Sequence, residues 1–367
     1  MFRKRQPASP KSRSVGKRMN DFDWTKQPHR RFNPLTREWI LVSPHRMQRP
    51  WQGQVETTAA TEIPKYDPCC YMCPGNKRST GNMNPNYQNV FVFENDFPAL
   101  LPGGESAEIN RHDLLVAETE SGVCRVMCFS PRHDLTLSGM EEKDIRAVVD
   151  CWGRQFQELG ARNGIRYVQI FENHGAMMGA SNPHPHGQIW ATETVPNILK
   201  IEQESQAAYS KTKNSCLLCD YYMLEASERV RIVVQNEYFL AAVPYWAVWP
   251  FETMIISRRH LGAIDELDSN ERDALGNILK RLGTRYDNLF QTSFPYSMGF
   301  HQRPTDGHDH PEWHFHAHFF PPLLRSATVR KFMVGFELLG MPQRDFTAET
   351  SAESLRSVPD THSALPW

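Results

Sequence analysis

The chain has 367 residues, of which 40% are hydrophobic, and its formal net charge is -1 at pH 7. The apolar content is enough for a sizeable core, and the net charge gives no sign of nucleic-acid binding or of attachment to a charged membrane surface. No apolar run has membrane-spanning length. The length favours two domains. We expect a cytoplasmic protein, because the eight cysteines of a chain without a secretory signal are typical of thiols and metal ligands.

Positive charge is concentrated at the start of the chain. Residues 1–18 contain seven lysines and arginines and no acid, which leaves 34 basic and 42 acidic residues in the remainder. We predict that residues 1–27 form a basic, disordered tail. A transit peptide or a nuclear localisation segment is the alternative.

The first predicted elements are strands separated by polar loops. Residues 38–42 form an apolar strand, and Arg46 and Arg49 in the following loop could bind a phosphate or form a solvated turn. Cys70 and Cys73 then have the Cys-x-x-Cys spacing of a tetrahedral zinc site. A redox pair is the alternative, but no thioredoxin-like βαβ pattern surrounds these cysteines.

A helix is predicted between two apolar strands, at residues 124–129 and 165–171. Ser138 and Glu141 have the spacing of a capping box at its start. Gly160 is expected to end it. The apolar residues between follow helical spacing: Ile145, Val148, Val149, Trp152 and Phe156.

Residues 182–190 contain His184, His186 and Gln188 at alternate positions. In an extended strand these side chains would share one face, about 6–7 Å apart. Such a row suits a phosphate site, with a His-rich metal tract or a polar edge strand as the alternatives. His186 is the candidate nucleophile, because a neutral imidazole with its other nitrogen hydrogen-bonded attacks well. The Gln188 amide can donate to a phosphoryl oxygen but cannot act as a general acid.

The same order of elements recurs later in the chain. The cap, the helix and the histidines keep one offset, from position 138 to 268, 145 to 275, 184 to 314 and 186 to 316. Residues 313–318 place three histidines on one strand face, and Gln188 corresponds to His318. The constant offset indicates an internal duplication with a domain-sized period. We predict an α+β fold of two halves, 28–205 and 206–367, each with an antiparallel-rich sheet and flanking helices.

Several long segments resemble the signature of the galactose-1-phosphate uridylyltransferase family, in the histidine-triad superfamily. They are residues 67–76, 91–100, 179–190, 294–299 and 321–335. The likeness runs from about His29 to about Arg356, and motifs this long in this order are highly specific. It implies a duplicated histidine-triad-like fold and a ping-pong reaction. In the reaction that the resemblance implies, UDP-glucose gives UMP to the middle histidine and releases glucose 1-phosphate, and galactose 1-phosphate takes the UMP to form UDP-galactose.

The resemblance also implies roles for individual residues, with His186 as the nucleophile and Gln188 on the phosphoryl oxygen. A zinc site corresponds to Cys70, Cys73, His133 and His184, and a second site for iron or zinc corresponds to Glu202, His301, His316 and His318. Contacts with nucleotide and sugar correspond to Arg46, Arg49, Asn95, Asp96, Asn173, Gly179, Ala180, Ser181, Lys331, Phe332, Phe336, Glu337 and Gln343. The family is a homodimer whose active site includes residues of the partner chain.

The chain departs from the family pattern in three places. Ala180 stands where cysteine is common, and Phe336 stands where many members have tyrosine. Residues 300–303 (FHQR) replace the usual Trp-His-Gly-Ala, which makes the surroundings of His301 bulkier and more basic.

The duplication further suggests a third metal site. Cys216 and Cys219 repeat the Cys-x-x-Cys spacing, and His260 and His314 match the two histidines of the first zinc site. Two buried thiols and two surface imidazoles are the alternative. For the function, the alternatives are a related nucleotidylyltransferase or phosphorylase acting on ADP-glucose, which a third metal site would favour slightly, and a non-catalytic zinc-binding module.

Overall fold

The computed structural model describes residues 22–48, 63–104, 106–322, 324–326, 329–330 and 333–362. Within these ranges the strands are β1 (His29–Asn33), β2 (Glu38–Val42), β3 (Phe91–Glu94), β4 (Glu108–Arg111), β5 (Leu115–Glu118), β6 (Gly122–Cys128), β7 (Tyr167–His174), β8 (His186–Thr192), β9 (Ile232–Gln235), β10 (Phe239–Ala242), β11 (Thr253–Ser257), β12 (Tyr296–His301), β13 (His316–Phe320), β14 (Leu324–Ser326), β15 (Val329–Arg330) and β16 (Gln343–Arg344). The α-helices are α1 (Glu142–Gly160), α2 (Asn197–Lys213), α3 (Leu217–Glu228), α4 (Ser269–Phe290), α5 (Phe336–Leu339) and α6 (Ala348–Arg356).

Nine of the described strands form one continuous sheet in the order β3-β6-β8-β7-β12-β13-β11-β10-β9. Its two halves meet where β7 pairs antiparallel with β12, with Tyr296 opposite His174. Outward from that pair, β8, β6 and β3 on one side correspond to β13, β11 and β10 on the other. The predicted α+β fold of two halves with antiparallel sheet is confirmed.

The helices α1 and α4 pack against each other and against the same face of the sheet. Trp152 of α1 and Leu279 of α4 belong to one buried core that also contains Ile189 of β8 and Ala317 of β13. Because strand side chains alternate, these two core residues leave His186 and Gln188 on the opposite face of the sheet. In the second half, His316 and His318 lie on this same face of the sheet, opposite the core. The duplicated histidines therefore lie on the face away from the two long helices.

The two long helices begin differently, although the sequence predicts a capping box for both. In α4, Asp268 accepts a hydrogen bond from the Glu271 backbone, and Glu271 accepts one from the Asp268 backbone, as predicted. In α1 the N-cap is Glu141, without a side-chain capping bond. The prediction for Ser138 is wrong, because its hydroxyl donates to the buried carboxylate of Asp287 in α4 at 2.7 Å. This contact ties the two helices together across the halves.

Two further features concern the chain's organisation. The predicted division at residues 205 and 206 falls inside α2 (Asn197–Lys213), and it stays a prediction. The predicted tail, 1–27, lies mostly outside the described residues, which begin at residue 22. Among the described helices, none is both long and apolar enough to cross a bilayer.

Candidate active site and metal centres

The ring of His186, the first residue of β8, is held by the backbone carbonyl group of a residue two positions earlier. Its Nδ1 lies 2.7 Å from the carbonyl oxygen of His184. Because a carbonyl oxygen only accepts, Nδ1 carries the proton and Nε2 keeps a free lone pair. Burial lowers the pKa of His186 below its ordinary value, which favours the neutral ring. A neutral, oriented imidazole is the form that attacks an electrophile.

The side chain of Gln188 is oriented by a residue that the sequence analysis did not single out. The indole nitrogen of Trp190 donates to Gln188 Oε1 at 3.1 Å. Since the oxygen is engaged, the amide group of Gln188 keeps its two N–H donors for another partner. The sequence contained a signal for this contact, because Trp190 lies two residues after Gln188 and therefore on the same face of the strand.

Gly187, between these two residues, is required by packing. A Cβ at this position would lie 2.9 Å from the ring of Phe129 and 2.9 Å from the carbonyl oxygen of Phe171. Any larger residue would push β8 away from its neighbours. Gly187 thus keeps His186 and Gln188 at their positions in the sheet.

The predicted row of His184, His186 and Gln188 is only partly found. His186 and Gln188 share a strand face, but β8 begins at His186, and His184 lies before it. Pro185 has no backbone N–H to donate, and its carbonyl oxygen accepts from the Phe129 backbone at 2.9 Å. The second half repeats this arrangement, since β13 begins at His316 and His314 precedes it. The first histidine of each row is therefore free to take part in another cluster.

A cavity of about 200 Å³ lies beside His186. Its lining includes most of the predicted contact residues of the first half: Asn95, Asp96, Asn173, Gly179, Ala180, Ser181 and Gln188. Three aromatic residues that the sequence analysis did not name, Tyr71, Phe93 and Phe97, line it as well. Sequence spacing offered no signal for them, because Phe93 belongs to β3 whereas Tyr71 and Phe97 lie in the loops before and after it. Aromatic faces and polar donors around one cavity suit a nucleotide base with its phosphates.

Two of the polar lining residues are fixed by neighbours. Asn173 of β7 accepts a hydrogen bond from the Ser297 hydroxyl of β12 at 2.7 Å, so the second half supports the cavity. Asp96 forms an ion pair with Arg78 at 3.4 Å and accepts from Thr80. Such supported side chains lose little conformational freedom when a ligand binds.

The remaining predicted contact residues lie elsewhere. Gln343 of β16 pairs with Leu41 of β2 in a separate small sheet, and Arg46, just after β2, forms an ion pair with Asp345 at 3.4 Å. Among the described residues, Arg46, Phe336, Glu337 and Gln343 are absent from the cavity lining. Arg49, Lys331 and Phe332 lie outside the described residues.

The four predicted zinc ligands of the first half lie together and are buried. The ligand atoms of Cys70, Cys73, His133 and His184 all lie within 4.8 Å of one another. The Cys73 sulfur is 3.6 Å from Nδ1 of His133 and 3.6 Å from Nδ1 of His184. Burial raises the pKa of the Cys73 thiol to about 11, so a thiolate here needs a cation beside it. Two thiols and two imidazoles fit tetrahedral zinc.

The residues around this cluster fix the ring of His184. Its Nε2 lies 2.9 Å from the carbonyl oxygen of Ser130, so Nε2 carries the proton and Nδ1 faces the cysteines. The Tyr87 hydroxyl lies 3.0 Å from the same nitrogen. Burial, with a smaller effect of His133, lowers the pKa of His184 to about 4, which keeps the ring neutral. Since the carbonyl group of His184 also holds His186, the cluster and the candidate nucleophile share one residue.

The second predicted metal cluster joins α2 to β12 and β13. Oε2 of Glu202 lies 2.8 Å from Nδ1 of His301 and 3.5 Å from Nε2 of His316, and Oε1 lies 4.0 Å from Nε2 of His318. Burial alone would raise the pKa of Glu202, but His301 and then His316 hold it well below its usual range. The cluster therefore keeps a carboxylate where solvent is excluded.

The buried nitrogens of this cluster indicate what it binds. In the described part of the chain, both ring nitrogens of His318 are buried without a hydrogen-bond partner, and Nε2 of His316 has only the Glu202 carboxylate at 3.5 Å. Buried polar atoms without partners are rare and costly. One carboxylate and three imidazoles form a donor set for iron or zinc. The residues fit such an ion.

Comparison with known proteins gives the family. The family model described as galactose-1-phosphate uridyl transferase, N-terminal domain, matches residues 18–196, and the model of its C-terminal domain matches residues 202–366. The chain belongs to this family. Family members named galactose-1-phosphate uridylyltransferase are similar to it over nearly their whole length. The protein from Haemophilus influenzae is 51% identical over 93% of this chain and 97% of its own, and that from Saccharomyces cerevisiae is 49% identical over 92% and 96%.

Solved structures show the same fold. A uridylyltransferase structure superposes with a TM-score of 0.71 at 25% identity, covering 90% of this chain and 98% of its own. An ADP-glucose phosphorylase from Arabidopsis thaliana, with bound ADP-glucose, also superposes with a TM-score of 0.71, at 24% identity over 90% and 99%. At this identity the second likeness concerns the fold alone, whereas the relatives named above share about half of their residues with this chain.

Proposed function

We propose that this protein transfers UMP from UDP-glucose to galactose 1-phosphate through a covalent uridylyl–His186 intermediate. The observation that carries the proposal is the His186 ring, whose Nδ1–H is held by the His184 carbonyl at 2.7 Å beside a polar and aromatic cavity. The relatives named for this activity, 51% and 49% identical to the chain, support the choice of substrates.

In the first step, Nε2 of His186 attacks the uridine-linked phosphorus of UDP-glucose. A P–N bond forms, the bond to the bridging oxygen breaks, and glucose 1-phosphate leaves with the electron pair. The ring gains positive charge as it bonds to phosphorus, and the His184 carbonyl oxygen stabilises this charge through Nδ1–H. No proton has to move, because the leaving phosphate is a stable anion.

In the second step, a phosphate oxygen of galactose 1-phosphate attacks the same phosphorus. The P–N bond breaks, UDP-galactose forms, and His186 returns to its neutral state. Gln188 donates an N–H to the phosphoryl oxygen in both steps, because its own oxygen is engaged by Trp190. An amide cannot accept a proton from an attacking water or give one to a leaving group, so this residue favours transfer between phosphates over hydrolysis.

The cavity residues bind the nucleotide in this proposal. Gly179, Ala180 and Ser181 surround the phosphates, and Asn95, Asp96 and Asn173 contact the uridine or the sugar. Tyr71, Phe93 and Phe97 provide apolar faces for the base and ribose.

We further propose a cytoplasmic homodimer with shared active sites. Arg46, Phe336, Glu337 and Gln343 do not line the cavity of their own chain within the described residues, which supports their use in the partner's site. In α5, Phe336 is 56% exposed and Leu339 is 90% exposed, as expected for a segment that contacts another chain. Arg49, Lys331 and Phe332 are assigned to the same role.

Two metal ions belong to this proposal as structural elements. Cys70, Cys73, His133 and His184 would hold zinc, which would fix the His184 backbone that orients His186. Glu202, His301, His316 and His318 would hold iron or zinc between α2 and the sheet. Each ion would supply folding free energy by joining segments that are distant in the chain.

The test is to mix the purified protein with UDP-glucose labelled in the uridine, without galactose 1-phosphate. We expect about one labelled uridylyl group per active site, located on His186 by peptide mass spectrometry, and release of glucose 1-phosphate. Galactose 1-phosphate added afterwards should remove the label as UDP-galactose. A parallel sample with ADP-glucose and phosphate tests the alternative that the protein is a phosphorylase acting on ADP-glucose.

Two results would contradict the proposal. One is turnover of UDP-glucose with galactose 1-phosphate without any covalent label on His186. The other is faster turnover of ADP-glucose than of UDP-glucose, which would indicate the phosphorylase alternative.

Loss of labelling in His186→Gly, with unchanged circular dichroism, would assign the label to the His186 ring.

A further inference from the structure

Four residues of the second half, outside the active site and the two clusters above, converge on one point. The ligand atoms of Cys216, Cys219, His260 and His314 all lie within 4.8 Å of one another. Cys216 is the N-cap of α3, His260 follows β11, and His314 precedes β13. The group therefore joins three segments that are separated by at least 41 residues, as between Cys219 and His260.

The distances within the group are those of a tetrahedral site. Bonds of about 2.3 Å to sulfur and about 2.0–2.1 Å to nitrogen, at tetrahedral angles, would separate the two donor atoms by about 3.6 Å. The Cys219 sulfur lies 3.5 Å from Nδ1 of His260 and 3.4 Å from Nδ1 of His314. The Cys216 sulfur lies 3.3 Å from Nδ1 of His314. These values are close to the 3.6 Å found in the first zinc cluster.

The surroundings of the two rings also match those of a metal site. Nε2 of His314 lies 2.8 Å from the Ser257 carbonyl oxygen, and Nε2 of His260 lies 3.1 Å from the Pro311 carbonyl oxygen. Both rings therefore carry their proton on Nε2 and present the Nδ1 lone pair to the sulfurs. In the first cluster, His184 is held in the same way by Ser130.

The sulfur atoms are supported similarly in both halves. The backbone N–H of Cys219 donates to the Cys216 sulfur at 3.4 Å, and that of Met72 donates to the Cys70 sulfur at 3.4 Å. A backbone donor at a helix N-terminus favours the thiolate, which is the form that binds metal.

We propose that Cys216, Cys219, His260 and His314 form a third metal site, which binds zinc. Two thiolates and two neutral imidazoles are the soft donor set that selects zinc, and four protein ligands leave no open position for a substrate. The ion is therefore structural. It occupies the position in the second half that the first zinc site occupies in the first half, beside the strand that starts two residues after the ligating histidine.

This site supports the neighbouring Glu202 cluster. The His314 carbonyl oxygen accepts a hydrogen bond from Nδ1 of His316 at 2.8 Å, and Gln206 of α2 accepts one from the His314 backbone at 3.2 Å. The ion would thus fix His314. This residue orients His316 and contacts α2, the helix that carries Glu202. In the second half, the zinc site positions a metal ligand, whereas in the first half it positions His186.

The site differs from the first one in its exposure to solvent. His260 is exposed and both cysteines are half-buried, whereas all four ligands of the first cluster are buried. A chelator reaches an exposed ion more readily than a buried one. We expect the zinc of the third site to be the first that a chelator removes.

The experiment measures zinc per chain in the purified, full-length protein by plasma mass spectrometry. Cys219→Ser should contain one zinc fewer than the wild type, and Cys219→Ser combined with Cys73→Ser should contain two fewer. Cys69→Ser is the matched control, because this exposed cysteine belongs to none of the three clusters found among the described residues. The rapidly released zinc seen with a chelator in the wild type should be missing in Cys219→Ser.

A second measurement does not depend on the folding of a variant. In the wild type, Cys216 and Cys219 should resist alkylation by iodoacetamide until the chelator has removed the rapidly released zinc, as followed by peptide mass spectrometry. His260→Gln, which changes the exposed ligand, should weaken zinc retention by roughly 10-fold or more. Unchanged zinc content in folded Cys219→Ser, immediate alkylation of both thiols, or a disulfide between them would each overturn the proposal.

Discussion

The two halves hold corresponding histidines in nearly the same way. Nδ1 of His186 lies 2.7 Å from the carbonyl oxygen of His184, and Nδ1 of His316 lies 2.8 Å from that of His314. The two rings differ in what faces Nε2. His186 lies beside a cavity, whereas Nε2 of His316 lies 3.5 Å from the Glu202 carboxylate of α2. Within the described residues, the Glu202 carboxylate of α2 gives His316 a partner that His186 lacks.

The halves also differ in the third position of each row. Gln188 is held by Trp190 and lines the cavity, while His318 is buried against Glu202 and His301. After a duplication, one copy can keep the reactive geometry while the other stabilises the fold. The predictions below test this division, from the largest expected effect to the smallest.

The largest difference is expected between His186→Gly and the corresponding His316→Gln. His186→Gly should lower transfer of UMP from UDP-glucose to galactose 1-phosphate by roughly 10⁴-fold or more, because no nucleophile remains. His316→Gln should lower it far less and reduce metal content instead. Initial rates in a coupled assay, with circular dichroism as the folding control, measure both. Equal losses of activity in the two variants would remove the distinction between the halves.

Cys73→Ser should destabilise the protein more than Cys219→Ser. The first cluster is buried, so loss of one thiolate leaves three buried ligands without their ion, at a cost of about 4 kcal/mol or more. The second-half cluster is partly exposed, and its loss should cost less. Melting temperatures of the two variants, against Cys69→Ser as the unaffected control, make the comparison. A smaller decrease for Cys73→Ser would show that the second half depends more on its metal.

Gln188→His gives the first half the residue that His318 provides at the corresponding position of the second half. The new ring would lose the hydrogen bond from Trp190 as now arranged, and it could carry a proton to or from water. We expect transfer to UDP-galactose to fall by roughly 10- to 100-fold and the release of free UMP to rise. The ratio of these two products is the measurement. An unchanged ratio would mean that the amide does not decide between transfer and hydrolysis.

The smallest effect concerns the junction of the halves. Glu172 of β7 is buried and accepts a hydrogen bond from Tyr296 of β12 at 3.1 Å. Burial raises its pKa to about 8 from an ordinary 4.5, so the folded protein favours the protonated carboxyl. This contribution to stability is complete below pH 4.5 and is lost as the pH rises towards 8.

We therefore expect the free energy of unfolding to fall by about 1–2 kcal/mol between pH 6 and pH 8, in part through Glu172. Glu172→Gln keeps a neutral side chain of the same shape and should flatten this pH dependence. Urea denaturation of the wild type and of the variant at the two pH values measures it. The same slope in both proteins would exclude Glu172 as its source.

Local patterns were enough to predict several elements. The strand at residues 38–42 agrees in both bounds with β2, and the Asp268–Glu271 cap of α4 is present, because both depend on neighbouring residues. The corresponding cap at Ser138 is absent, since its hydroxyl meets Asp287, which is 149 residues away. Spacing along the chain contains no information about such a partner.

By itself the sequence determined the duplication, the α+β class and the identity of the residues that could ligate metal or attack phosphorus. These depend on patterns along the chain and on side-chain chemistry, which can be recognised without any three-dimensional contact. The tertiary structure decided which rings face a cavity and which face Glu202, because that choice depends on where α2 places the Glu202 carboxylate. It also decided the orientation of Gln188 and the proton positions of His186, His260 and His314, since a ring nitrogen's role is set by its hydrogen-bond partner.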